Sequence, residues 1–398
     1  MRAIHAMGLG VVFLMACGGP GFQGFDGGKN GDGGSGDDGG TTTDDGGCPF
    51  CGVDASNDGA TPTCSPNSLN YDIPNNNCDD DGDGTVDNAP TCDNGLQLTG
   101  PAADMAKAIG LCQKADSAHW GVVSASYTNG YNSTTAPAAL QTGILTKFGN
   151  VLKPRQGSSF GVLSSGAARE YDQCNSNGPF KGGCSMQTAA SVAPTGYPKD
   201  SPSCPQQNIS QTVNDLADLK LQVKVPANAK GLSFDFDFGS GEWPEFVCTT
   251  FNDSFIAYLT SAAFNGGKPE NISFDSNKNP VSVNNAFFDR CSPSTGLISQ
   301  QGGYCNFPTN KYCAGGNAEL QGTGFYNAGT YCGESGQDSG GGMTGWLTTS
   351  APVQPGETIT LEFMVWDTGD HIYDSSVIID NWTWSPSDTS VSTGRPPN

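Results

Sequence analysis

Histidine is nearly missing from this chain: three residues in 398, one of them (His5) within the first ten positions. A Cys/His zinc module needs paired ligands at fixed spacing, and Cys48-Pro-Phe-Cys51 stands alone as a CxxC. A serine-protease triad lacks its base for the same reason. Only His119 and His371 remain beyond the leader, so Gln337-Asp-Ser-Gly-Gly341 reads as a glycine-rich loop. Basic residues are also scarce, Lys+Arg 18 against Asp+Glu 40, for a formal net charge of −22. Polyanions are poor partners for such a surface, which excludes nucleic acid and argues against an anionic membrane face. The balance suits divalent cations and a solvated extracytoplasmic surface. No apolar run is long enough to span a bilayer as a helix.

Cysteine is abundant instead, at fifteen residues. That count does not fit a reducing cytosol and places the chain in an oxidising compartment, stabilised by disulfides. Arg2 followed by the short apolar core Leu9–Ala16 and then Cys17 reads as a secretory signal. Leu14-Met15-Ala16-Cys17 resembles the lipobox of bacterial lipoproteins, whose cysteine is lipidated and becomes the first mature residue. Removing Cys17 leaves an even number of cysteines for pairing. Gly18, rather than Asp, follows it, which by the usual sorting pattern favours the outer membrane. The expected location is the bacterial cell envelope, as an outer-membrane lipoprotein exposed at the surface and held to the membrane by its lipid.

Residues 18–63 are dominated by Gly, Asp, Ser and Thr, a composition that cannot offset ordering entropy and reads as a disordered tether. Residues 64–94 form a Cys-bracketed acidic segment. In it Asp79, Asp81, Asp83, Thr85 and Asp87 fall at the odd positions of a calcium loop, with Gly84 at the turn. Position 12 is Pro90 rather than Glu, so the segment is not a regular EF-hand. It is similar to short Asp/Asn-rich metal-binding repeats, with Cys78 and Cys92 spaced to staple it. The expected cofactor is structural Ca²⁺.

The remainder, 95–386, reads as a mainly β domain: an antiparallel sandwich or jelly roll with one or two short helices. A helix is expected over Thr99–Ala115. Strands are expected at Leu219–Val225, Leu232–Phe238, Phe255–Leu259, Thr358–Trp366 and Val377–Trp384, from period-two alternation. A Cys- and Gly-rich insertion occupies 289–345, and 387–398 is a polar tail. Two loops carry the remaining candidate chemistry. Glu242, Glu245, Asn252 and Asp253 lie on one; Asp367, Asp370 and Asp374 lie on the other. Both follow strand ends, and if they meet, their oxygens suit a second calcium ion. The competing reading is turn chemistry. Trp243, Trp366 and Tyr373 are candidates for stacking on a ligand, against the commoner role of core aromatics. Glu242 and Glu245 on one loop are weak evidence for a glycosidase acid and nucleophile, because such carboxylates usually come from different strands.

The stretch LSFDFDFGSGEWPEFVCTTFNDSFIAYL, with PVSVNN, PGET and WDTGDHIYDSSVIIDNW, resembles the choice-of-anchor L family of bacterial surface proteins over roughly 95–386. The resemblance implies an extracytoplasmic protein without an assigned enzymatic activity. The chain ends in Arg-Pro-Pro-Asn with no C-terminal sorting helix, so the N-terminal lipid is the expected anchor. The sequence thus points to a non-enzymatic surface protein for adhesion, with a glycan or protein ligand. The alternative is a carbohydrate-binding or carbohydrate-active β-sandwich.

Overall fold

The computed structural model describes residues 64–88, 91–169, 190–202, 204, 208–243, 246–285, 287–291, 314–325 and 341–396. The leader with Cys17, the tether, Glu245 and most of the Cys-rich insertion lie outside these residues.

One α-helix, α1 (Ala102–Ala108), opens the domain. It is shorter than the sequence suggests because Gly110 takes φ 102° and Leu111 N–H reaches back to the Ala106 carbonyl, closing the helix early. In chain order the strands begin with β1 (Gly121–Thr128), β2 (Thr142–Leu145), β3 (Phe160–Ser164), β4 (Ala190–Ser191) and β5 (Val213–Lys224). Next come β6 (Gly231–Ser240), β7 (Ser254–Thr260), β8 (Glu270–Asn271), β9 (Val281–Ser282) and β10 (Arg290–Cys291). The series closes with β11 (Gly342–Met343), β12 (Leu347–Pro352), β13 (Thr358–Thr368), β14 (Ser375–Ser385) and β15 (Ser392–Gly394). Among the described residues they form two antiparallel sheets. One has the order β1-β5-β13-β7-β8, the other β10-β11-β6-β14-β3-β2. β15 pairs with β12, so the chain beyond 386 adds to the second sheet.

The sheets pack face to face through the alternating side chains that the sequence marks as apolar. Phe234, Phe236 and Phe238 of β6 meet Phe255 of β7 and Phe363 of β13, the Phe234 and Phe363 rings crossing edge to face at 4.9 Å. This is the antiparallel sandwich expected. The opposite face of β6 is not solvated, however. Asp235 and Asp237 are buried, because a second apolar layer built on Leu145, Phe148, Phe160, Leu320 and Phe325 covers that side. Asp235 pairs with Arg155 Nε at 2.5 Å and Asp237 accepts from Thr344 Oγ1 at 3.2 Å.

Every cysteine among the described residues is disulfide-bonded. The pairs are Cys64–Cys78, Cys92–Cys112 and Cys204–Cys248, with Cys291 bonded as well. Cys78 and Cys92 therefore do not staple the acidic segment to itself. One bridge closes its start, and the other ties its end to the residues after α1. The segment is docked, not free: Trp120 Nε1 donates to Asn70 O at 2.5 Å, and Asn228 exchanges two hydrogen bonds with the Tyr71 backbone.

Candidate functional site: a buried acidic rim

Two connections cross from one sheet to the other at the same end of the sandwich. Residues 241–253 join β6 to β7, and residues 369–374 join β13 to β14. β7 lies beside β13, with Ser254 opposite Trp366. β14 lies beside β6, with Ser375 opposite Ser240. The two acidic loops therefore have to meet. Gly241 N–H donates to Asp374 O at 3.1 Å. Asp253 binds the other crossing directly, accepting from Thr368 N–H at 2.9 Å and from Ser375 Oγ at 2.7 Å.

Glu242, Asp253, Asp367 and Asp374 are all buried here. Burial without counter-charge favours the protonated carboxyl. Asp253 is accordingly pushed up to about 7, mainly by desolvation and against the hydrogen bonds from Thr368 and Ser375. Glu242 is raised well above its ordinary range by burial and then by Asp253. Asp367 is raised likewise, by burial and then by Asp253 and Asp374. The Ser165 hydroxyl beside Asp367 offsets this slightly, and the Asp253 carboxylate lies close enough to share a proton with Asp367, raising Asp367 further and easing Asp253; by strict hydrogen-bond geometry neither Asp367 oxygen has a donor. Gly166 packs so closely on the Asp374 carboxylate that a Cβ would collide with it. The Asp367 oxygens and their carboxylate neighbours are the hard-oxygen chemistry that a calcium-like cation takes.

The other expected members behave differently. Asn252 is fully buried and its Oδ1 accepts from Asn284 N–H at 3.3 Å. Asp370 is half-buried at the edge, its Oδ1 taken by Ile372 N–H at 3.0 Å. Asp367 lies not on the loop but in β13, opposite Asn214, while the other rim carboxylates among the described residues follow the two loops; no three of their oxygens lie within 4.8 Å of one another.

That tighter grouping occurs in the acidic segment, where Asp79, Asp81 and Asp83 each bring an oxygen within 4.8 Å of the others. Gly84 takes φ 92°, the turn such a loop requires. Asp87 does not join them: its carboxylate accepts from Asn76 and Asn77 N–H at 3.0 and 3.2 Å. Thr85 meets the group through Asp83: its N–H donates to Asp83 Oδ1 at 2.7 Å and its hydroxyl also favours the Asp83 carboxylate.

The stacking candidates do not form a platform. Trp366 is fully buried, with its Nε1 donating to Thr368 Oγ1 at 3.1 Å. Trp243 is buried and stacks on Phe288 at 4.6 Å. Tyr373 is half-buried against Phe246, 5.6 Å between rings. The first two are core, as period-two placement next to strand ends makes natural.

A family model described as Choice-of-anchor L domain matches residues 133–384. No curated protein and no solved structure matches the chain.

Proposed function

The chain belongs to the choice-of-anchor L domain family, a family of bacterial surface proteins, and from that premise we propose that it is a lipid-anchored adhesion protein whose sandwich is closed by a structural calcium ion. The observation that carries the cation is the orphaned Asp367 carboxylate, buried among Glu242, Asp253 and Asp374. These four groups would hold the ion only after their side chains draw together, since no three of their oxygens lie within 4.8 Å of one another. It would supply the charge that lets them stay ionised in a dry site, and it would tie the two crossings together. A second ion is proposed at Asp79, Asp81 and Asp83, where three oxygens already converge. Display at the outer membrane would follow from lipid on Cys17, with residues 18–63 as spacer.

Two experiments test this reading. Elemental analysis of the purified chain after dialysis against micromolar calcium is expected to find bound calcium; a metal-free protein would refute the cation. Cys17→Ser is expected to move the protein from the membrane fraction to the soluble one, since the several acyl chains of a lipoprotein anchor stably. Unchanged membrane partitioning would refute the lipid anchor.

A further inference from the structure

A second feature lies on the seam between the acidic segment and the sandwich, away from the rim. A cavity of about 190 Å³ opens there between Tyr71, Asp81 and Asp83 on one side and Trp120, Trp382 and Trp384 on the other. The three indoles form an edge-to-face cluster. Trp120 meets Trp384 at 5.9 Å, and Trp384 meets Trp382 at 5.3 Å. Asp83 and Thr383, at the mouth, are exposed.

The walls carry unusual polar atoms. Tyr71 Oη, Gln156 Oε1, Trp382 Nε1 and Trp384 Nε1 are all buried with no hydrogen-bond partner, and all four residues line this one cavity. Tyr71 and Trp382 are themselves more than nine-tenths buried. Buried tyrosine and tryptophan normally find partners for their polar ends. Trp120 does so in the same cluster, giving its N–H to Asn70 O. Four exceptions among the residues that line one space, with their polar atoms closed to water in this conformation, call for a partner that reaches them as the walls part.

We propose that this cavity binds one neutral sugar ring, the terminal unit of a surface glycan. The indole N–H groups need acceptors, the glutamine oxygen needs a donor, and the tyrosine hydroxyl serves as either. A pyranose offers both kinds of group on a ring whose C–H faces suit aromatic walls. An organic cation satisfies none of the indole donors. A phosphate or carboxylate would face Asp72, Asp81 and Asp83. The space is below the range of pockets for drug-sized ligands, which limits the occupant to one ring, and the open mouth at Asp83 and Thr383 leaves room for the rest of the chain. Asp81 and Asp83 belong to the proposed calcium triad, so an ion held there would border the sugar.

The test uses the full chain with a panel of methyl glycosides of neutral hexoses, followed by saturation-transfer NMR, with calcium and with EDTA. At least one glycoside is expected to bind saturably with millimolar affinity. Tyr71→Phe keeps the ring, Trp384→Phe keeps a smaller aromatic ring, and both remove an orphaned polar group; each is expected to weaken that binding about tenfold while leaving the melting temperature within a few degrees. Loss of binding in EDTA would place calcium beside the sugar; persistence would leave recognition to the aromatic walls, and either supports the site. No saturable binding by any neutral glycoside would overturn the proposal. So would equal affinity in both variants, or binding of tetramethylammonium without any hexose.

Discussion

Asp253 ties the chemistry of the rim to pH. In the folded chain it keeps its proton up to about 7, against an ordinary value of 3.8. Between those limits the native state binds more protons than the unfolded one. The resulting stability is fully present below the unfolded value and is lost as pH rises through about 7. Glu242 and Asp367 move in the same direction for the same reason. Freed of divalent ions, the protein is therefore expected to melt several degrees lower at pH 8 than at pH 5, since a tenfold change in one proton-binding constant is worth about 1.4 kcal/mol. Asp253→Asn removes one of the titrating groups and should reduce that slope; an unchanged slope would show that Asp253 does not titrate in this range. Gly166→Ala tests the packing of the same spot. Its new Cβ meets the Asp374 carboxylate, and overpacking of this kind costs about 1–3 kcal/mol. A denaturation midpoint equal to wild type would show that the crossing can yield there.

At the scale of elements, much of the sandwich was legible because Leu232, Phe234, Phe236 and Phe238 alternate so strictly; so do Ile359, Leu361, Phe363 and Val365. β6 and β13 form on those residues with only their ends extended. Alternation also marked Asp235 and Asp237 as the face away from the core, but it carries no information about a covering layer. That layer draws Phe148, Phe160 and Phe325 from distant stretches of the chain. The meeting of the acidic loops was half legible: both follow strand ends in the sequence, but only the β7–β13 and β6–β14 pairings bring them together. The seam cavity was not legible. Trp382 and Trp384 lie two apart on β14, a spacing that in sequence gives no sign of a cavity beside them. The docking of the acidic segment depends on the Cys92–Cys112 bridge, which spans 20 residues. Replacing both cysteines by serine is expected to cost about 3 kcal/mol. It should also raise amide exchange across residues 64–88 before the sandwich opens. Exchange that rises evenly over the whole domain would contradict the bridge as a local clasp.

At the scale of the whole molecule, one end of the sandwich gathers four buried carboxylates in a protein whose charge is already −22. Ordering them costs stability unless protons or a cation compensate. Display at a bacterial surface, where proton supply is set by the medium, makes a cation the steadier solution. The most direct measurement is the melting temperature of the purified chain at pH 7.5, with EDTA and then with millimolar calcium. It should be compared with Asp367→Asn, Asp374→Asn and the control Asp388→Asn, an exposed residue in a surface ion pair with Lys230. An ion that binds only the native state stabilises it by about 2.7 kcal/mol at one hundred times its dissociation constant. For a domain of this size that is a rise of several degrees. An ion held at the rim predicts that rise in wild type and in Asp388→Asn, and its loss in most part from Asp367→Asn and Asp374→Asn. A rise of equal size in all four proteins would contradict it, and would assign the calcium effect to Asp79, Asp81 and Asp83.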